Sequence, residues 1–184
     1  MVKKIIIPFI LSATLILVSC GQEKTNDQDK TKIGIESATF HYDRGCDYIG
    51  KGQYDQAISE FNKAIEINPR YAEAHFMLGA TYGELGHYQE EIEAYKQAIR
   101  IKPDYAKAHF ALGVAYLSFK RYQEAIQACK QAIHIKPDFA EAHLILGGVY
   151  SLLGDQSSAL NEYRILKDLD KNLANQLFDL IYIR

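Results

Sequence analysis

The chain of 184 residues is 48% hydrophobic and 24% charged, ordinary globular material in an amount that suits one domain. Its 21 Lys and Arg against 23 Asp and Glu leave a formal charge of −2, and no basic run occurs, the wrong balance for a nucleic-acid binder. GxSxG, HExxH, CxxC and phosphate-loop patterns are all missing, so nothing points to nucleophilic chemistry, a metal or a cofactor.

Lys3 and Lys4 precede a 14-residue apolar run, Ile5 to Val18. That is too short to span a bilayer comfortably and is the length of the apolar core of an export signal. The run ends in Leu17-Val18-Ser19-Cys20, which resembles the lipobox of bacterial lipoproteins. The resemblance implies cleavage after residue 19 and diacylation of the Cys20 thiol, with the new amino group often acylated too. Each buried methylene contributes ~0.8 kcal/mol, so two or three long chains would hold the protein on a membrane. Losing residues 1–19 removes two lysines and leaves 19 basic against 23 acidic side chains, a charge of −4. Gly21 stands where an Asp often favours inner-membrane retention in that family, so in a cell with two membranes the resemblance implies the outer one.

Residues 20–37 are the lipidated cysteine and a polar tether, GQEKTNDQDKTKIGIES after Cys20, that could bury no core. As a flexible chain its 17 residues would span roughly 20–25 Å, enough to hold a folded part clear of headgroups.

From Ala38 apolar residues recur at three- and four-residue spacing, predicting helices near 38–51, 54–68, 71–85, 88–101, 105–119, 122–135, 139–153 and 156–169. Gly or Pro punctuates most breaks, and Pro69, Pro103 and Pro137 fall where one helix pair hands over to the next, since proline cannot donate its backbone bond. Residues 72–105 and 106–139 are identical at 20 of 34 positions without a gap. A fixed period of 34 is the signature of stacked helix pairs. The units are 38–71, 72–105, 106–139 and 140–171, followed by a C-terminal stretch, 172–184.

Leu78-Gly79, Tyr82, Tyr95, Ala98 and Pro103 fill one unit, and Leu112-Gly113, Tyr116, Ala125, Ala132 and Pro137 the next. Leu146-Gly147, Tyr150, Ala159 and Tyr163 mark the last, and Gly45, Tyr48, Ala57, Phe61, Ala64 and Pro69 the first. The pattern resembles tetratricopeptide repeats. It implies an all-α, antiparallel helix-pair solenoid of about four units in a right-handed superhelix, plus a C-terminal capping helix. Small residues let the two helices of a unit approach while large ones fill the gaps. Arg44 where Leu is usual, Cys129 where an aromatic is, and Lys171 in place of a fourth Pro depart from it. Glu91 stands at a small-residue position, predicting a local splay between the helices 71–85 and 88–101, because a buried unpaired charge is costly. The capping stretch puts Leu173, Leu177, Leu180 and Ile181 on one helix face, and Phe178, Tyr182 and Ile183 widen it. Either this is a cap with an apolar edge or it is a surface for self-association.

His41, His75, His109 and His143 recur at one repeat position. Zinc needs donors at ~2.0–2.1 Å from one ion, and stacked helices ~8–10 Å apart do not converge, so the rings are expected to fill packing slots. Cys46 and Cys129 lie a helix pair or more apart, too far for the 4.4–6.8 Å of a disulfide, and both are expected to be free thiols.

In the resembling arrays the first helix of each unit lines a concave groove through repeat positions 2, 5, 9, 12 and 13. Carried over, position 5 is Tyr42, Phe76, Phe110 and Leu144, and position 9 is Cys46, Ala80, Val114 and Gly148. Position 12 adds Leu117, and position 2 gives a mixed rim of Glu73, Lys107 and Glu141. Large apolar groups beside small ones suit an amphipathic helix or extended peptide. Aromatic, aliphatic or small residues replace the Lys and Asn with which some relatives clamp a terminal carboxylate. The alternative is that the tether or the closing helix covers part of this surface.

Taken together, the residues predict a lipid-anchored, extracytoplasmic scaffold of the bacterial cell envelope that binds a protein or peptide partner in its groove, with no cofactor. The alternatives are an assembly subunit that self-associates through its C-terminal edge, weakly homo-oligomeric, and, remotely, an envelope enzyme.

Overall fold

The computed structural model describes residues 32–182. Residues 1–19, Cys20, the first part of the tether and Ile183 lie outside them. Nine helices follow one another within the described residues: α1 Lys32–Gly50, α2 Tyr54–Ile67, α3 Ala72–Glu84, α4 Tyr88–Ile101, α5 Ala106–Ser118, α6 Tyr122–Ile135, α7 Ala140–Leu152, α8 Gln156–Leu169 and α9 Lys171–Tyr182. The fold is an all-α solenoid of antiparallel helix pairs. The chain divides into two compact units between Gln97 and Ala98, inside α4.

One helix starts earlier than its sequence predicts. α1 begins at Lys32, so the last six residues assigned to the tether are helical. No proline or capping residue stands at Ala38 to stop a formed helix from propagating backwards, and propagation is cheap once the nucleus exists.

The turn inside each helix pair is built the same way four times. The residue after the first helix's last turn adopts a left-handed conformation: Gly52 at φ 70°, Gly86 at 74°, Lys120 at 59° and Gly154 at 78°. The next amide then donates 2.9 Å back to a tyrosine carbonyl, from Gln53 to Tyr48, His87 to Tyr82, Arg121 to Tyr116 and Asp155 to Tyr150. This closes the helix end in the manner of a Schellman cap. Three of the four positions hold glycine, which alone adopts that conformation without a Cβ penalty.

Between pairs the proline turns close through the amides of Tyr71, Tyr105 and Phe139, which donate to the carbonyls of Asn68, Lys102 and Lys136. Where the fourth proline is missing, Asp170 does the work. Its carboxylate accepts from the amides of Asn172 (2.8 Å) and Leu173 (3.0 Å), an N-cap that starts α9 one residue after α8 ends.

Each pair closes on a glycine. A Cβ added at Gly45 would lie 2.5 Å from the Phe61 ring, one at Gly79 2.8 Å from Tyr95, and one at Gly113 2.7 Å from Cys129. The Gly79 site also sits 3.2 Å from the Glu91 carbonyl, against 3.4 Å from Gly113 to the Ala125 carbonyl. The α3–α4 approach is therefore as close as that of α5–α6, which corrects the expected splay at Glu91. The reason is Gly83. Glu91 lays its carboxylate over this second glycine, with Oε1 2.8 Å from where a Cβ would be. Burial, and then the charge of Glu84, push the Glu91 carboxyl up to about 7.

Two outcomes follow from these backbones and charges. Lys120→Gly relieves a left-handed lysine and should raise unfolding stability by about 1 kcal/mol in urea titration; an unchanged midpoint would mean the turn is not strained. For Glu91 the folded pKa lies above the ordinary value of 4.5. The stability this site allows is fully present below about 4.5 and is lost as pH rises through about 7, by on the order of 2 kcal/mol after discounting for its partial exposure. Glu91→Gln should flatten that slope, and a slope equal to the wild type's would assign it elsewhere.

Candidate functional site

The first helix of each pair carries the residues of the expected groove, and their burial separates them into two sets. Position 5 is core. Tyr42 meets Phe61 at 5.9 Å between ring centroids and Tyr71 at 5.1 Å, Phe76 meets Tyr95 at 5.6 Å, and Phe110 meets Phe139 at 4.9 Å. Phe76 and Phe110 are only 1% and 2% exposed. Leu144, also buried, lies in a cluster with Leu166, Ala174, Leu177 and Ile181. This corrects the reading of Tyr42, Phe76, Phe110 and Leu144 as ligand contacts. Over Tyr42 and Phe110 the cover is a ring that ends the repeat beside the proline turn, Tyr71 and Phe139; Phe76 is covered by Tyr95 and Leu144 by the side chains of α9.

Positions 2, 9 and 12 are mixed. In unit 1 Ala80 and Glu73 are buried, and Glu73 is engaged within the chain. Cys46 is half-buried and engaged within the chain, and Cys129 is free and buried, as expected of it. Burial, and next the charge of Glu162, push the Cys129 thiol up to about 12. In unit 2 the face stays half-open: Lys107, Val114 and Leu117 on α5, Glu141 and Gly148 on α7. Lys107 is engaged within the chain. α5 and α7 touch, so these residues share one strip, and Gly148 lies 3.6 Å, measured from a hypothetical Cβ, from Leu180 of α9.

The repeated histidines have a structural use. His75, His109 and His143 each place Nε2 3.0–3.2 Å from the carbonyl of Pro69, Pro103 and Pro137, six residues back, tying the first helix to the turn before it. His143 adds a second bond, Nδ1 to Glu162 at 2.6 Å, and His41 makes the same bond to Glu60. Both ring nitrogens of His143 thus face acceptors. Burial alone would lower its pKa, but the bonds to Glu162 and to the Pro137 carbonyl raise it above 6.5. Glu60 also takes Lys63 at 2.9 Å and Arg44 at 3.8 Å, which explains the arginine in place of the usual leucine. Burial works against the Glu60 carboxylate, and its bonds to His41 and Lys63 hold it below the ordinary range. Among the described residues no three His, Cys, Asp or Glu side chains are placed to hold a metal ion. No described helix is long and apolar enough to cross a membrane.

The exposed apolar groups sit elsewhere. On α9 Phe178 and Tyr182 stack at 4.6 Å, Tyr163 of α8 meets Phe178 at 5.8 Å, and Phe178 and Tyr182 are 43% and 51% exposed. Leu152 and Leu153 are exposed at the α7–α8 turn.

The sequence matches the description "TPR repeat" over residues 45–86 and 84–118 and "Tetratricopeptide repeat" over 106–139, together just over half of the chain. An uncharacterised protein of Methanocaldococcus jannaschii is 42% identical over 40 residues, 22% of this chain and 46% of that protein, so the match spans less than half of the relative's length. Among solved structures, a MamA protein is 29% identical with a TM-score of 0.73, covering 80% of this chain and 82% of its own. A thermophilic TPR protein of Thermus thermophilus is 26% identical at 0.64, covering 78% and 80%. YrrB, described as a TPR protein with an unusual peptide-binding site, shares the fold at 0.66 with 16% identity over 79% of this chain and 85% of its own. Four glycine-closed helix pairs and these matches agree: the chain belongs to the tetratricopeptide repeat family, whose members are scaffolds for protein–protein interaction.

Proposed function

We propose that the protein is a lipid-anchored scaffold of the bacterial cell envelope that binds a partner peptide or helix along the strip of Lys107, Val114, Leu117, Glu141 and Gly148. The observation that carries this reading is the contrast in unit 2 between a packed floor, Phe110 and Leu144, and the half-open Val114 and Leu117 at its surface. A rigid floor loses little freedom on binding, and two aliphatic groups with charges at one end give anchorage and register. The shared fold with a peptide-binding relative, YrrB, supports it by analogy alone.

The anchor rests on the Leu17-Val18-Ser19-Cys20 motif and the apolar run before it. It would confine the strip to the membrane surface and raise the effective concentration for a partner there. With two membranes, the residue after Cys20 favours the outer one, facing the periplasm. The chain has three cysteines, and a Cys20 that carries a thioether has no thiol left to titrate. Thiol titration of the unfolded mature protein should then read two free thiols, whereas any other count would tell against acylation. A second reading, self-association through the closing helix, is favoured by the exposed Phe178 and Tyr182, and sedimentation that shifts with concentration would support it.

A photo-crosslinker at position 141 of the anchored protein should capture a partner that Val114→Asp/Leu117→Asp loses while its helicity is retained, and Cys20→Ser should move the protein out of the membrane fraction. Capture undiminished by the double substitution would move the contact to another face.

A further inference from the structure

The repeated histidines do not all carry the same load. His109 makes one bond, Nε2 to the Pro103 carbonyl at 3.0 Å, and the repeat position that supplies a carboxylate in the last unit holds Ala128 here. A neutral His109 can keep its hydrogen on Nε2, and the bond with it. His143 makes two bonds, Nε2 to the Pro137 carbonyl at 3.0 Å and Nδ1 to Glu162 Oε2 at 2.6 Å. A carbonyl brings no hydrogen to such a bond, and neither does a carboxylate. The pair therefore needs one proton more than a neutral imidazole and a carboxylate hold between them.

His41 shows why this matters only at His143. It also bonds a carboxylate, Glu60, at 2.6 Å, but Lys63 at 2.9 Å and Arg44 at 3.8 Å attend the same group, which stays compensated when the ring is neutral. Among the described residues His143 is the one cation bonded to Glu162. Both members of the pair are buried, and their surroundings offer no substitute. On α8 the cations Arg164 and Lys167 are exposed. From α6 the Cys129 thiol feels the Glu162 charge and stays neutral, while Lys130 and His134 are exposed. α9 adds Ala174, Leu177 and Ile181 to the core beside Leu144 and keeps Lys171 and Asp179 outside. α5, which also touches α7, carries Lys107, engaged within the chain, and the bonded His109.

Once the extra proton is gone, the hydrogen left on the ring stays where it is held hardest. A bond to a carboxylate is roughly twice as strong as one to a neutral carbonyl, so Nδ1 keeps it and Nε2 turns a lone pair toward the Pro137 carbonyl. We propose that His143 and Glu162 form a proton-operated clasp: with the extra proton one imidazolium ties α7 to α8 and to the Pro137 turn at once, and without it the ring keeps Glu162 and releases the turn. The two bonds raise the His143 pKa above 6.5, against burial, which alone would lower it. With the folded value raised, the tie is fully made below 6.5 and is lost as pH rises through that higher value. The Pro137 turn joins α6 to α7, and α7 bears Glu141 and Gly148, so release loosens one side of the strip. That consequence rests on the strip as the binding surface, whereas the clasp itself does not.

Nitrogen-15 NMR of the full-length chain tests this in a Glu91→Gln background, which removes the carboxyl that burial pushes up to about 7. At about pH 5.5 both ring nitrogens of His143 should carry hydrogen, and above its titration only Nδ1 should. A neutral ring that keeps its hydrogen on Nε2 overturns the proposal. The Phe139 amide donates to the Lys136 carbonyl inside the released turn, and the Tyr105 amide to Lys102 in the equivalent turn beside His109. Corrected for intrinsic exchange, Phe139 should lose protection roughly fivefold across the titration while Tyr105 changes by less than roughly twofold. Equal changes at the two turns, or none at Phe139, overturn it as well. Glu162→Gln, whose amide can donate to Nδ1 and leave the hydrogen on Nε2, should make Phe139 protection independent of pH. A loss that survives this substitution belongs to another group and sinks the clasp; if the variant does not fold, the ring and turn readouts of the Glu91→Gln chain decide alone.

Discussion

Everything in this protein is organised around a missing Cβ. At Gly45, Gly79, Gly113 and Gly147 a methyl group would come within 2.5–2.8 Å of a neighbouring side chain, so each pair of helices can close only because that carbon is absent. Close approach then places a large residue from the second helix, or from α9, directly on the first helix's backbone. Dispersion contacts at that distance are dense, and helix pairs without them would lose both their crossing and their register. The same arrangement explains why α1 and α5 are buried on more than one side: one face meets the helix's own partner and another meets the first helix of the next pair in its unit.

Glycine at this position was legible from the repeat period, and so were the helix pairs, the proline turns and the closing helix. Most boundaries came within a residue or two because Gly and Pro act locally, through φ and a lost donor. What could not be read was side-chain direction where two positions compete for one place. Position 5 lies on the same helix face as the strip, four and seven residues before positions 9 and 12, and its exposure depends on whether something distant in sequence lies over it. Tyr71 and Phe139 do, and although they are visible as rings after each proline, periodicity alone assigns them to a turn. Glu91 failed in the opposite sense. Its charge suggested a wedge, but its neighbour Gly83 had room for it, and a residue judged alone carried no sign of that pairing.

The polar groups follow the same geometry. His75, His109 and His143 bond the proline carbonyls because proline, having no amide hydrogen, leaves the turn short of donors while its carbonyl still needs one. Only the first and last repeats add a carboxylate, Glu60 and Glu162, where the two middle repeats have Ala94 and Ala128. Ala94 and Ala128 are buried at that site, where small alanine fits without a polar partner. The ends of an array have fewer neighbours, and a charge-assisted bond replaces contact that stacking would have supplied.

That difference bears on how such a chain can work at all. A repeat array stabilises its interior through neighbours on both sides and must improvise at its ends, so the ends are where sequence departs from pattern. Here the improvisation is visible in chemistry: Arg44 and Lys63 around Glu60 at one end, and a borrowed leucine in a glycine slot at the other. The middle of the array gives a stiff floor, and stiffness favours recognition of a partner by a fixed strip. The closing helix completes that core instead: Ala174, Leu177 and Ile181 are buried in the cluster with Leu144, Ala159 and Leu166, and Leu173 and Leu180 pack beside them, so the end of the array is closed by burial where no further pair stacks.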